Sequence, residues 1–444
     1  MSIKKTVAIA AAAGALAAIS VPAMALENEF HGSYYFGTIF SNYNNGVAGV
    51  NFVPTLKKPK MNNYFEQRAR IQYIAKASDD LKLVTQFEID NQFGKSTATT
   101  ATNNKTNGVG IDSDVVNIEV KHAYLDFNIG KNFNTKLGIQ PYKDTLKGLF
   151  IDADIPGITT TTELGAYTLG LGFTRLTDSL APFSQSTAHA FRLGELNQDL
   201  FMLDNTFAFT KDTKAALSYY FLANYATANA RDLNHTFSLS GETKVGPVAL
   251  SGFVAKQLGN SRTATGVRGS NNGWAANVAA KAAVGPGTAR TGFLFTSGDN
   301  NPSDGHNNGW APTTVNSYNE SGLVILTRNT ANSPGTTDQY IRRAITNQAV
   351  AFLGYNANLT DKLFVDGAVG AAWVPASAGA PNNNASDFMG TELGLTTGYK
   401  LYPNLTLQAQ AGYMILGGYY ADSAAGAKDP ENPYTMRLQA KFAF

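Results

Sequence analysis

Beyond its first 25 residues the chain repeats one unit: runs of about 8 to 13 residues in which apolar and polar side chains alternate with a period of two. That period belongs to a strand with two unlike faces, and no helical period of 3.6 is sustained anywhere after residue 25. From Tyr64 to Ala77, one face reads Phe65, Gln67, Ala69, Ile71, Tyr73 and Ala75, and the other Glu66, Arg68, Arg70, Gln72, Ile74 and Lys76. Leu81 to Gln92 repeats the pattern, and so does the C-terminal run, with Tyr434, Met436, Leu438, Ala440, Phe442 and Phe444 on its apolar face. A strand of a soluble sandwich alternates in the same way, so the strands alone do not say whether the apolar face meets a core or lipid.

The connections discriminate. Tight, turn-prone joins fall at Ser78-Asp79-Asp80, Gly130 to Asn134, Gly165-Ala166, Lys211-Asp212-Thr213, Gly246-Pro247, Gly285-Pro286-Gly287, Thr360-Asp361 and Tyr402-Pro403-Asn404. Between them lie long polar stretches, roughly 41–62, 94–114, 143–158, 176–198, 224–232, 259–272, 298–346, 375–387 and 418–432. Strict alternation of short and long joins is the asymmetry of an outer-membrane barrel, with periplasmic turns and extracellular loops. Eight short joins and nine long ones imply an all-β, closed antiparallel transmembrane barrel of about 18 strands, or 16 if one hairpin is merged. At His122 the alternation of Val116, Ile118 and Val120 changes phase to Ala123, Leu125 and Phe127, which predicts a bulge.

Composition removes the competing classes. No apolar run after residue 25 approaches the roughly 20 residues of a membrane helix. With no cysteine, there is no disulfide frame, no thiolate metal site and no covalent haem attachment. Lys4-Lys5, the apolar stretch Thr6 to Ile19 and the small-x-small Ala23-Met24-Ala25 form a secretory signal in the expected order, which leaves residues 26–444 as a single barrel. Without Lys4 and Lys5, the remaining basic residues equal the 33 acidic ones, so no field for nucleic acid is expected.

A chain that turns about Asp79 places Arg70 opposite Glu88 and Arg68 opposite Asp90 on the polar face. They form either a pore wall that polarises passing solutes or pairs that only brace the barrel. Ile71, Tyr73, Phe87 and Phe442 are the expected lipid-facing side chains.

The final YTMRLQAKFAF, with Tyr434, Phe442 and Phe444, resembles the C-terminal strand that outer-membrane proteins present to the barrel-assembly machinery. The signal, the segment VKHAYLDFNIGKNFNTKLGIQPY at Val120 to Tyr142 and the N-terminal ENEFHGSYYFGTIFSNY resemble a porin family of metal-reducing deltaproteobacteria. AYLDFNIG and TKLGIQPY, followed by a longer loop, are also similar to the strand pair that precedes the inward constriction loop of general porins. The resemblance implies a channel whose segment near 143–159 folds into the lumen. Lys143, Asp144, Lys147, Asp152 and Asp154 would be its charged residues, with Leu149-Phe150-Ile151 packing on the wall. An ordinary outward loop is the alternative.

Asp299 and Asp304 stand in an oxygen-rich run, SGDNNPSDGHNNGW, which lacks a complete calcium-loop spacing and reads as a polar loop. The five histidines are dispersed, and nucleophile-elbow, phosphate-loop and dinucleotide fingerprints are absent, so neither an enzyme nor a cofactor is expected. Trp274, Trp310, Trp373, Tyr34, Tyr35, Phe36, Tyr219, Tyr220, Tyr419 and Tyr420 are candidates for an interface girdle. Three functions fit: a porin for small hydrophilic solutes and ions, the sheath of an extracellular electron conduit around a cytochrome, and a structural or adhesive barrel. The expected partners are outer-membrane lipid, the barrel-assembly machinery, small solutes and further copies in a homotrimer.

Overall fold

The computed structural model describes residues 26–43, 61–94, 108–109, 116, 118–179, 194–301, 303–313, 318–327, 345–376, 386–420 and 431–444. The expected signal at 1–25 and much of the long loops lie outside these residues.

Eighteen long strands follow one another around a closed antiparallel barrel. They are β1 (Glu27–Ser41), β2 (Asn62–Ser78), β3 (Leu81–Phe93), β4 (Glu119–Ile129), β5 (Phe133–Lys143), β6 (Asp152–Leu164), β7 (Tyr167–Asp178), β8 (Asn197–Thr210) and β9 (Thr213–Asn224). The circuit continues through β10 (Arg231–Val245), β11 (Val248–Arg262), β12 (Trp274–Val284), β13 (Gly287–Thr296), β14 (Gln348–Asn358), β15 (Leu363–Trp373), β16 (Phe388–Tyr402), β17 (Leu405–Leu416) and β18 (Tyr434–Ala443). β18 closes on β1, from Ser33 opposite Ala443 to Ser41 opposite Thr435. Closure removes the unpaired edges that an open sheet of this size would present.

All eight tight joins connect consecutive strands at one end of the barrel. Two of the expected long loops are shorter than their polar composition implies. The join after β5 spans only 144–151, because the ladder of β6 with β5 begins at Asp152. β11 continues to Arg262 and turns in a hairpin, with the Thr263 N–H donating to the Val267 carbonyl at 2.9 Å. Polar side chains do not end a ladder whose backbone groups still have partners.

Alternation sorts the faces. Ile71 and Phe87 are 49% and 40% exposed on the outside, whereas Arg437, inward on β18, is fully covered. Tyr73 and Phe442 share the outward register of Ile71 and Leu438. The same rule corrects the girdle. Tyr34 and Tyr35 are neighbours in one strand and must take opposite faces, so Tyr35 is buried inside with its hydroxyl on Glu66 (3.0 Å). Tyr220, Tyr420 and Trp310 are also buried, while Trp274 and Trp373 remain on the outside. An outer belt of leucine, isoleucine, valine and phenylalanine around a polar interior is the surface of a transmembrane barrel. Ile71→Arg should therefore cost about 2 to 4 kcal/mol of folding free energy in lipid, and Gln72→Arg much less. Denaturant titration of the two variants refolded into vesicles checks the register, and equal midpoints would overturn it.

Candidate pore constriction and channel wall

The segment 144–151 turns into the barrel. Lys147 and Gly148 both take positive φ, 61° and 81°, a pairing that bends consecutive N–H groups toward one point. That point is the Asp144 carboxylate. Oδ1 accepts the N–H groups of Leu146 (2.8 Å) and Gly148 (2.7 Å), and Oδ2 those of Phe150 (2.7 Å) and Ile151 (2.6 Å). Asp144 therefore does not project toward water as expected; it is the buried centre of its own loop. Burial pushes its carboxyl up to about 6, while the four N–H groups pull the other way.

The loop's apolar side chains explain why it folds inward. Leu146, Leu149, Phe150 and Ile151 are fully covered and pack with Leu200, Met202, Tyr220, Leu222, Phe253 and Leu294 of the wall. Phe150 stacks on Tyr220 at 5.2 Å between ring centres and meets Trp310 edge-on. Tyr142 and Tyr220 both donate to Asp204 at 2.7 Å, tying the loop's base to β8 and β9.

Lys147 ties the loop to the wall and to a second segment. Its Nζ donates to Ser251 on β11 (2.9 Å), to Asn277 on β12 (2.7 Å) and to Glu320 (2.6 Å). Glu320 belongs to a second inward segment, 318–327, inside a stretch whose sequence reads as an outer loop. Leu323, Val324, Ile325 and Leu326 are buried among Val350, Phe352, Ala372, Met389 and Met414. Here the clasp comes from the wall: Glu392 of β16 accepts the N–H groups of Val324 (2.6 Å), Ile325 (3.0 Å) and Leu326 (2.7 Å). On the other side Arg290 of β13 donates to the Ser321 carbonyl at 3.0 Å and to Asp366 at 2.6 Å. Gly322, at φ 76°, takes a backbone conformation that favours glycine, and a Cβ there would press on the Arg290 guanidinium at 2.3 Å.

The opposite wall carries the expected pairs in the expected register, Arg68 against Asp90 and Arg70 against Glu88. Arg68 holds Asp90 with two bonds of 2.6 Å, and Arg70 bonds Glu88 through its Nε. The bulge lies one residue from its expected place: Gln86 pairs with His122 and Phe87 with Val120, which leaves Lys121 as the extra residue. Its effect is local. Lys121 and His122 both turn to Asp154, at 2.5 and 2.8 Å. Asp152 and Asp154 thus stand on β6 and not in the loop, and they alternate with Ala153 and Ile155, which pack on the loop's apolar cluster, so neither projects into the constriction as expected; Asp152 pairs with Lys143 at 3.0 Å.

Glu320, Glu392 and Asp204 went unseen in the sequence, where Arg290 reads only as a basic residue of unfixed height along the pore. The readable signal for 318–327 is Gly322-Leu323-Val324-Ile325, an apolar run in a polar loop that parallels Gly148-Leu149-Phe150-Ile151. Asp299 and Asp304 each cap their own turn, on the N–H groups of Asn301 (3.2 Å) and His306 (2.7 Å). Among the described residues, no group of three or more His, Asp or Glu could hold a metal ion. Tyr434 and Phe442 lie on the closing strand, and Phe444 exchanges two backbone hydrogen bonds with Gly32, at 2.9 and 3.0 Å.

No protein-family model matches the chain, and none of the curated proteins is similar to it in sequence. Solved structures do match. OccAB1 of Acinetobacter baumannii has a TM-score of 0.57 at 11% identity, over 94% of this chain and 96% of that one. The outer membrane protein OpdK of Pseudomonas aeruginosa has 0.56 at 11%, over 94% and 99%. OccK9 (OpdG) of the same organism has 0.56 at 13%, over 94% and 98%. At such identities the likeness is one of fold: the chain has the closed, 18-strand antiparallel architecture of outer-membrane porins.

Proposed function

We propose that the chain is an outer-membrane porin, exported by residues 1–25, with its tight turns in the periplasm and its long loops outside the cell. It passes small hydrophilic solutes and ions by diffusion and needs no cofactor or catalysis. The observation that carries this reading is the meeting of two inward segments at Lys147 and Glu320, opposite a wall of paired charges. A narrowing of this kind acts on what passes; a purely structural barrel has no use for it. The inward segments also take up lumen that a cytochrome would need, which counts against the electron-conduit reading.

The aqueous path runs along β2 to β4, because the apolar clusters of the two segments lie on the side of β5 to β17. Along that wall Arg68 and Arg70 are matched by Asp90 and Glu88, so the charges are locally balanced. Opposite signs so close cancel at a distance and leave a short-range field suited to dipolar and zwitterionic solutes. The resemblance of the N-terminal strands to the porins of metal-reducing deltaproteobacteria agrees with this reading. The barrel-assembly machinery, through Tyr434, Phe442 and Phe444, and further copies in a homotrimer are the partners it expects.

Purified protein in a planar bilayer should give discrete conductance steps with weak ion selectivity. Absence of steps from folded protein would overturn the porin reading. Lys147→Met should shift the reversal potential in a salt gradient toward cations, since Glu320 then lacks its counter-charge at the narrowing.

A further inference from the structure

Outside the lumen, three arginines stand side by side at the long-loop rim. Arg231 of β10 is the cross-strand partner of Arg262 of β11, and Arg262 is the partner of Arg268 across the hairpin. All three are exposed and share the outward register of Phe237 and Val254. Directly opposed side chains start about 4.5 to 5.5 Å apart, and like charges so placed repel. Among the described residues no carboxylate lies within ion-pair distance of any of them. Asp304, one residue before the Gly305 that approaches the Arg268 carbonyl, gives its carboxylate to the His306 N–H. The outward positions of β10 from Arg231 to Leu239 and of β11 from Val254 to Arg262 carry no Asp or Glu. Arg175, outward on the same rim, is different: Asp199 binds it with bonds of 2.9 and 3.0 Å.

Below the arginines, Lys256 faces outward with its Nζ 4.3 Å from the centre of the exposed Trp274 ring, and it donates to the Asn272 carbonyl at 3.0 Å. A lysine and tryptophan in contact mark the depth at which apolar lipid gives way to headgroups.

We propose that Arg231, Arg262 and Arg268 bind the phosphate of an anionic lipid headgroup in the outer leaflet, with Lys256 as a fourth cation beneath. Planar guanidinium groups hold phosphate through paired N–H bonds, and a shared anion turns mutual repulsion into attraction. The site rests on the outer-membrane reading above, since it requires the long-loop end to face that leaflet.

Native mass spectrometry of the folded, detergent-solubilised protein tests it, using diphosphorylated lipid A, its dephosphorylated form and inorganic phosphate as probes, with EDTA present. The phosphorylated lipid should be retained over the dephosphorylated one. Arg262→Gln should weaken that retention by about tenfold, and the triple glutamine variant by more. Arg175→Gln, at the paired arginine, should leave it unchanged. Equal retention by folded native and triple-variant protein, or of both lipids by the native chain, would overturn the proposal. Inorganic phosphate competing as well as the lipid would reassign the site to free anions and also overturn it. Conductance separates the two readings: a variant that has lost the lipid but still conducts leaves the porin reading intact, whereas a native chain that never conducts removes the porin reading.

Discussion

Replacing Glu392 with leucine should turn a steady channel into one that flickers between conductance levels, with a higher mean current. The carboxylate is fully buried and takes three N–H groups from the second inward segment. Each buried N–H left without an acceptor costs about 1 to 3 kcal/mol, so the loss is on the order of 3 to 9 kcal/mol. Against it stand the buried side chains of Leu323, Val324, Ile325 and Leu326, worth at most about 6 to 12 kcal/mol together. The two are comparable. The segment therefore stays in its apolar seat while its backbone turns toward lumen water, and the narrowing loses its fixed shape. Glutamine at 392 keeps the Oε1 that serves Val324 and Ile325 but sets an amide against the Leu326 N–H, so Glu392→Gln should fall between native and leucine. The barrel ladder is untouched, and the thermal transition of the strands should change little. A leucine variant that folds and conducts without added noise would remove the clasp from the account of the constriction.

The barrel was legible because its determinants are local. Period two and turn residues fix strands and joins, and a single tight turn at Asp79-Asp80 fixes the register that sets Arg68 on Asp90 and Arg70 on Glu88. The phase change at His122 located a bulge to within one residue, since one extra residue flips every following side chain. The lumen was read only in part, because its contacts join residues far apart in the chain. Lys147 and Glu320 are separated in the chain by the eight strands β6 to β13, and Glu392 is one acid in a strand of mixed composition. Charges in a polar loop are ordinarily solvated, which is why Asp144 was expected in water. What reverses that expectation is the positive φ of Lys147 and Gly148, a feature of backbone geometry that no side-chain pattern announces. The aromatics behaved similarly. Tyr220 and Trp310 read as girdle residues, yet they meet Phe150 inside the barrel and seat the inward loop.

The other large effect is expected at Asp144. Asp144→Ala should leave the barrel folded while dissolving the first inward turn, with single-channel conductance raised and the current noisy. Unlike Glu392, this carboxylate organises its own loop, so all four of its N–H partners lie within seven residues. Their loss is on the order of 4 to 12 kcal/mol at about 1 to 3 each. Lys147 and Gly148 also sit in left-handed conformations that only the clasp makes worthwhile, and a lysine there carries strain of its own. Once the turn relaxes, Lys147 can no longer hold Ser251, Asn277 and Glu320 together, so the bridge between the two segments opens as well. For this reason Asp144→Ala should widen the channel more than Lys147→Met, which removes the bridge but leaves the turn. Asn at 144 keeps one pair of N–H bonds and opposes the other with its amide, giving an intermediate conductance. The decisive comparison is the order of conductances in folded protein, native lowest, then asparagine, then alanine. If alanine conducts like the native chain, the turn does not form part of the narrowing, and the path past β2 to β4 is set by the second segment alone.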